Sequence, residues 1–143
     1  YNITNWLPFY WNDYQQTTRY SYILDVSDLD EVYHNIHRKR RRYIEKATEQ
    51  GLQVILNNDA ELFYKVNKMS FDRQKIKIPY TFEAFQRHDE ALAAHEARQI
   101  FMAQDVGGRV HSVVYLIWDA QSSYFHIAGD DPDLRNSGAG ILL

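Results

Sequence analysis

The chain has 143 residues, 45% of them hydrophobic and 15% aromatic, which fits one globular domain and excludes a disordered or low-complexity chain. A domain of this length buries roughly 68% of the surface that its unfolded chain exposes. The formal net charge is −3, so no global field draws the chain to nucleic acid or membrane; without cysteine it has no disulfide, thiolate nucleophile or cysteine-ligated zinc. No run reaches the ~18 apolar residues of a membrane helix and no signal-peptide pattern opens the chain, so the expected setting is cytoplasmic. Both ends look cut, residue 1 inside aromatic-rich material and residue 143 within an uncapped apolar run.

Residues 1–18 are rich in Trp, Tyr and Asn, are broken by Pro8, and read as loop with a short strand at most. Asn2-Ile3-Thr4 fits a glycosylation sequon, which has no meaning in a cytoplasmic chain. Arg19 to Val26 alternates as a strand, with Tyr20, Tyr22 and Leu24 on one side. Ser27-Asp28-Leu29-Asp30-Glu31 supplies a cap and an acidic first turn. The helix that follows, from about Asp28 to Gln50, sets Leu29, Val32, Tyr33, Ile36, Tyr43, Ile44 and Ala47 on one stripe until Gly51 ends it. Inside it lies the charge run Arg38-Lys39-Arg40-Arg41-Arg42, mostly a solvated face. Arg40 falls within the apolar stripe, where an arginine snorkels, pairs with a buried carboxylate, or lines a cleft. A nucleic-acid arm is the weaker reading for a capped amphipathic helix in an acidic chain.

Leu52 to Leu56 predicts a first strand, and Asn57-Asn58-Asp59 caps a helix near Ala60 to Arg73 with Leu62, Phe63, Val66 and Met69 on one face. After a connector from Lys75 to Pro79, Thr81 opens a third helix running to Ala97, with Phe82, Phe85, Leu92 and Ala93 inward. Three strands follow, Gln99 to Asp105, Arg109 to Asp119 and Ser123 to Ala128, joined at Gly107-Gly108 and at Ala120-Gln121-Ser122. The chain then breaks at Gly129-Asp130-Asp131-Pro132, and glycines precede the apolar run Ile141-Leu142-Leu143. A strand, a turn, a glycine-bearing loop and a helix start make an anion cradle, because the first helical N–H groups have no internal partner and carry partial positive charge. Gly138 and Gly140 would let a phosphate approach the main chain, and Arg135 adds a charged fork. An ordinary strand-to-helix turn carries the same local pattern.

Pro132-x-x-Arg135-x-x-Gly138-x-Gly140-x-x-Leu143 resembles the acyl-CoA pyrophosphate loop of the GNAT acyltransferases, written Q/R-x-x-G-x-G/A. In that family the loop follows the fourth strand and opens the helix that carries the cofactor, and the order β-α-α-β-β-β-loop-α agrees with the first part of the family layout. Tyr22-Ile23-Leu24-Asp25-Val26-Ser27, then a helix ending Arg41-x-x-Ile44-x-Lys46-Ala47 and Gly51-Leu52, is similar to the inter-domain region of FemAB-type transferases. These are tandem GNAT-like proteins, several of which add amino acids to peptidoglycan precursors from aminoacyl-tRNA. The resemblance implies an α/β (α+β) fold, a mixed, mostly antiparallel sheet flanked by helices and truncated before its fifth strand. It divides the chain into the end of a preceding GNAT-like domain (1–27), a connecting helix (28–51) and an incomplete acyltransferase domain (52–143).

The same resemblance implies transfer of an acyl (acetyl) group from acyl-CoA to an amine, with Arg135, Asn136, Ser137, Gly138, Ala139 and Gly140 holding the cofactor. A FemAB-like chemistry would instead take aminoacyl-tRNA as donor, leaving the loop a relic. The acceptor is then a small-molecule or cell-wall-precursor amine, and the remainder of a longer chain is a further partner. Acyl transfer needs a base and an acid near the fourth strand. Tyr124 and His126 alternate onto one face of it, His126 being the best base by its intrinsic pKa. Asp130 can assist, and Asp131 and Arg40 are candidate substrate contacts; His111 and Tyr115 lie on the neighbouring strand. A histidine or tyrosine on a strand is more often a packed or surface residue. His34, His37, His88 and His95 lack the i,i+4 pairing of a helical metal site, so no metal is expected. A reading from another class is a non-catalytic folding or interaction module, and an exposed strand edge where the missing part would pair invites self-association.

Overall fold

A strand is stable only where a neighbour completes its backbone ladder, and four segments of the chain find one. The computed structural model describes residues 5–15, 17 and 21–143, and the chain divides into two units, 1–35 and 36–143. In the second unit, β1 (Gln53–Leu56), β2 (Arg98–Gln104), β3 (Val110–Trp118) and β4 (Ser123–Asp130) form one sheet in the order β1-β2-β3-β4. All three pairings are antiparallel. The expected strands are therefore present, β4 running two residues further than the sequence suggests.

In the first unit, α1 (Leu7–Tyr10) is a single turn on which Trp6 stacks with Phe9 at 4.9 Å, and α2 (Leu29–Asn35) is capped by Asp28, whose Oδ1 accepts the Glu31 N–H at 2.9 Å. The strand expected from Arg19 to Val26 does not form over 21–26: no described residue pairs with it, and Tyr22 and Ile23 are exposed. Arg19, Tyr20 and the Asn2-Ile3-Thr4 sequon lie outside the described residues. The single helix expected from 28 to 50 is two, α2 and α3 (Arg38–Glu49). The physical reason is His37, whose extended backbone (ψ 133°) breaks the helix and whose Nδ1 accepts the Lys39 N–H at 3.2 Å, so that it caps α3. Gly51, at φ +80°, ends α3 as expected.

The helices α4 (Ala60–Arg73) and α5 (Phe82–Ala94) start at Asp59 and Thr81, each side-chain oxygen accepting a backbone N–H of the first turn. They bury Phe63, Val66 and Phe85 against Ile100, Met102, Val113 and Tyr115 of the sheet. Ala93, expected inward, is exposed, and α5 stops at Ala94. Phe85 and Asp89 are buried and Leu92 partly so, at helical spacing, and Ala93 lies about 75° from the mean direction of these three. On the second sheet face Ala47, Leu52 and Ala103 pack with Ala139 of α6 (Ala139–Leu142), and Leu142 and Leu143 rest against them.

Under α5 sits a buried polar knot. Arg98 Nη2 donates to Asp89 Oδ2 at 3.0 Å, Arg98 Nε stands 2.9 Å from Oδ1 but at an angle too bent for a hydrogen bond, and the Tyr115 hydroxyl donates to Oδ1 at 2.8 Å. Burial, then this carboxylate, pushes the Tyr115 hydroxyl far above its ordinary range.

The sheet edge at β4 is fastened to α4. A Cβ on Gly129 would lie 2.4 Å from Asn67 Cα, so the two backbones touch. Asn67 Nδ2 donates to Ala128 O at 2.6 Å, Ser70 Oγ accepts from Asp130 N–H at 2.8 Å, and the Tyr80 hydroxyl donates to Asn67 Oδ1. Burial raises that tyrosine to about 12. Alternate residues of an edge strand point their backbone groups outward; at Ala128 and Asp130 helix α4 has taken them.

Candidate functional site

The chain does not run on as sheet after β4. Asp131 caps a 3-10 helix over Pro132–Ser137, its Oδ1 accepting the Asp133 N–H at 2.9 Å and its carbonyl accepting the Leu134 N–H at 3.1 Å. Gly138 then adopts φ +83°, which reverses the chain into α6. The helix start expected at this loop exists, preceded by a tighter 3-10 turn.

Both loop glycines are explained by packing against protein. A Cβ on Gly138 would stand 3.1 Å from the Tyr43 carbonyl of α3, and one on Gly140 would stand 2.9 Å from Asp130 Oδ1. The space expected for a phosphate at these two positions is, on the side-chain side, occupied by α3 and β4. What remains open is a crevice between α3 and the loop. One part, about 600 Å³, is walled by His37, Lys39, Arg40, Tyr43, Arg135, Asn136, Gly138 and Ile141. An adjoining part, about 260 Å³, shares Arg40, Arg135, Gly138 and Ile141 and adds His111, Asp130, Leu134, Ser137, Ala139 and Gly140. The crevice is thus lined by the basic residues Arg40, Arg135 and Lys39 and, among the described residues, by one acidic residue, Asp130, whose Oδ1 already accepts from Ser112 Oγ at 2.7 Å. An anion with several oxygens fits such a donor set.

The predicted site residues separate into three places. Arg40, Asp130 and Arg135 to Gly140 line the crevice. Asp131 is buried beside it, capping the 3-10 helix and pairing with Arg109 Nη2 at 3.0 Å. His126 and Tyr124 lie further up β4 and line neither part of the crevice. At ~3.3 Å per residue His126 is roughly 13–16 Å along the strand from Asp130 and Asp131.

His126 has a distinct setting. The β3–β4 register passes from Tyr115↔Ile127 to Leu116↔Phe125, so His126 is the unpaired residue of a bulge. A bulge re-aims the side chain it carries; this one brings the ring to 5.3 Å from His88 and 6.2 Å from Tyr115. Burial, then the neighbouring His88, holds the imidazole below its ordinary value. The Tyr124 hydroxyl donates to Asp119 Oδ2 at 3.2 Å, and the Gln121 and Ser122 N–H groups are the main cause that keeps Asp119 low.

A second bulge falls on His111, which the β2–β3 register skips between Ala103↔Ser112 and Gln104↔Val110. His111 Nε2 lies 3.1 Å from Asp105 Oδ2, and its Nδ1 is buried with no hydrogen-bond partner among the described residues. Sequence reasoning placed His111 only as a neighbouring-strand residue and missed its pairing. The signal was available: Asp105 and His111 flank the Gly107-Gly108 turn, so the hairpin makes them neighbours.

Residues 31–143 match the acetyltransferase (GNAT) domain family. Among solved structures the fold is similar to that of FemX, with a TM-score of 0.70 at 11% identity over 81% of this chain. The match spans 45% of the FemX chain, less than half its length. No curated protein sequence matches this chain. With four antiparallel strands, helices on both faces and the loop after β4, the chain belongs to the acetyltransferase (GNAT) domain family, a family of acyltransferases, in a FemX-like form of its fold.

Proposed function

We propose that the unit over 36–143 transfers an acyl group from acyl-CoA to an amine and holds the donor's diphosphate in the crevice between α3 and the loop. The observation that carries this is the convergence of Arg40 and Arg135, from two separate elements, on a hollow with one carboxylate already hydrogen-bonded. Arg135 and the backbone of Asn136, Ser137, Gly138, Ala139 and Gly140 bind the diphosphate from one side, and Arg40 from the other. The bound thioester supplies an activated acyl carbon.

His126 accepts the proton that the attacking ammonium must lose, because burial and His88 favour its neutral form at neutral pH. Tyr124 and Asp130 stand at the two ends of the strand segment that carries His126: Tyr124 is oriented by Asp119, and Asp130 is steadied by Ser112 and Ser70. Asp131 supports the substrate side indirectly, by holding the loop in place. A cytoplasmic setting belongs to this reading; among the described residues no helix is long and apolar enough to cross a membrane.

A second reading is favoured by the FemX-like fold together with the exposed basic residues Arg38, Lys39 and Arg42 of α3: an aminoacyl-tRNA donor and a cell-wall-precursor amine as acceptor. Calorimetry separates the two. Saturable CoA binding supports the acyl-CoA donor; binding of aminoacyl-tRNA with a steep salt dependence, and none of CoA, supports the other. Binding of neither, with no transfer, leaves an interaction module.

A further inference from the structure

Beside the crevice lies a polar pair that acyl transfer, as set out above, does not use. Asp105 is held anionic first by the hydrogen bond from His111 and then by the Arg109 N–H, with a further bond from the Gly107 N–H. An anionic carboxylate accepts only, so the hydrogen of the His111 ring sits on Nε2, facing it. Nδ1 is then the spare nitrogen. The His111 side chain is only 9% exposed and lines the smaller part of the crevice, and among the described residues its Nδ1 has no partner. A buried polar atom without a partner in a native fold calls for a ligand, an ion or a water. The position is also not accidental in backbone terms, since the bulge turns His111 toward the face that carries Ser112 and Asp130.

We propose that His111 is a ligand-contacting residue of the crevice: as the donor's diphosphate binds, Nδ1 takes up one proton from solvent and donates it in a hydrogen bond to a phosphate oxygen. This rests on the acyl-CoA reading. No covalent bond forms or breaks in the ligand, and the charge added to the protein is the imidazolium. The groups around it set the balance. Arg40 from α3 and Arg135 from the 3-10 helix oppose protonation; Asp105 from the turn and Asp130 from β4 favour it; Arg109 is engaged by Asp131. The incoming phosphate charge tips the balance, so binding and protonation reinforce one another.

The experiment is calorimetric titration of the chain with CoA and with inorganic pyrophosphate, in two buffers of different ionisation heat, from pH 6 to pH 8. Wild type takes up a measurable fraction of one proton per CoA, and its affinity weakens as pH rises. His111→Gln keeps an amide toward Asp105 but loses the Nδ1 contact; it binds about tenfold more weakly, with no proton uptake, as for the loss of one charge-assisted hydrogen bond. His111→Asn places its amide nitrogen near the Nδ1 position and retains affinity without uptake. CoA binding to wild type with no proton uptake, and equal affinity in His111→Gln, would overturn the proposal and leave His111 as a packing residue. Should either variant fail to melt as a folded protein, the proton uptake of the other, set against that of wild type, decides. Absence of CoA and pyrophosphate binding to wild type removes the acyl-CoA reading itself and this contact with it, a result distinct from binding without uptake.

Discussion

Adding one methyl group at Gly129 tests how β4 is held in place. The new Cβ would stand 2.4 Å from Asn67 Cα, 2.8 Å from Asn67 N and 3.0 Å from Val66 O, all backbone atoms that no side-chain rotation can move. Carbon atoms pack at about 3.5–4.0 Å, so α4 must withdraw from β4 by roughly 1 Å. That withdrawal stretches the Asn67–Ala128 bond from 2.6 Å and the Ser70–Asp130 bond from 2.8 Å beyond useful hydrogen-bond range. Overpacking costs about 1–3 kcal/mol and each lost bond about 1 kcal/mol, so Gly129→Ala is expected to cost about 3–5 kcal/mol. For a chain of this size that lowers the melting temperature by roughly 10–20 °C. Gly108→Ala is the control: the residue has φ +80° but no atom within 4 Å of the new Cβ, so only the left-handed backbone term of about 1–2 kcal/mol applies. Thermal unfolding followed by circular dichroism compares them. If Gly129→Ala melts with or above Gly108→Ala, α4 and β4 are not in backbone contact and the account of this edge is wrong.

Three other outcomes are expected. Arg98→Leu leaves the buried Asp89 carboxylate, among the described residues, with the Tyr115 hydroxyl alone, and is expected to lose about 3–5 kcal/mol in urea denaturation; a loss under about 1 kcal/mol would mean that the knot is solvated. The folded-state pKa of His126 lies below its unfolded value near 6.5, so the unfolded chain binds the extra proton and stability falls as pH drops through that value toward the folded one. NMR titration of the ring should show the lowered value and, in His88→Gln, a partial return upward; an unchanged value in that variant would assign the shift to burial alone. Arg135→Ala is expected to weaken CoA binding about tenfold and to flatten its dependence on salt, with the melting temperature unchanged because the side chain is exposed.

Much of the sheet and of helices α4 and α5 was legible because local signals and tertiary packing agree there: Asp59 and Thr81 cap helices whose apolar faces meet the sheet, and Gly107-Gly108 sits between strands that do pair. Tyr22 to Val26 shows the limit. Alternation describes a strand's sides but does not supply a partner, and none is present among the described residues. The break at His37 was hidden because a ring nitrogen capping a helix leaves no mark on apolar spacing. At the candidate site the motif located the loop, yet its glycines answer to α3 and β4. The wall opposite Arg135 comes from Arg40, nearly a hundred residues earlier, a juxtaposition that only the fold makes. Two bulges decide where His111 and His126 point, and a bulge is a register event with no local signature in either strand.

The most direct test of the whole account is titration of the chain with CoA, beside a variant carrying Arg40→Ala and Arg135→Ala together. Saturable one-site binding that weakens with salt, and is lost in the double variant while its melting curve is unchanged, is the predicted result. Binding of equal strength in both proteins, or none in either, contradicts a diphosphate held between α3 and the loop.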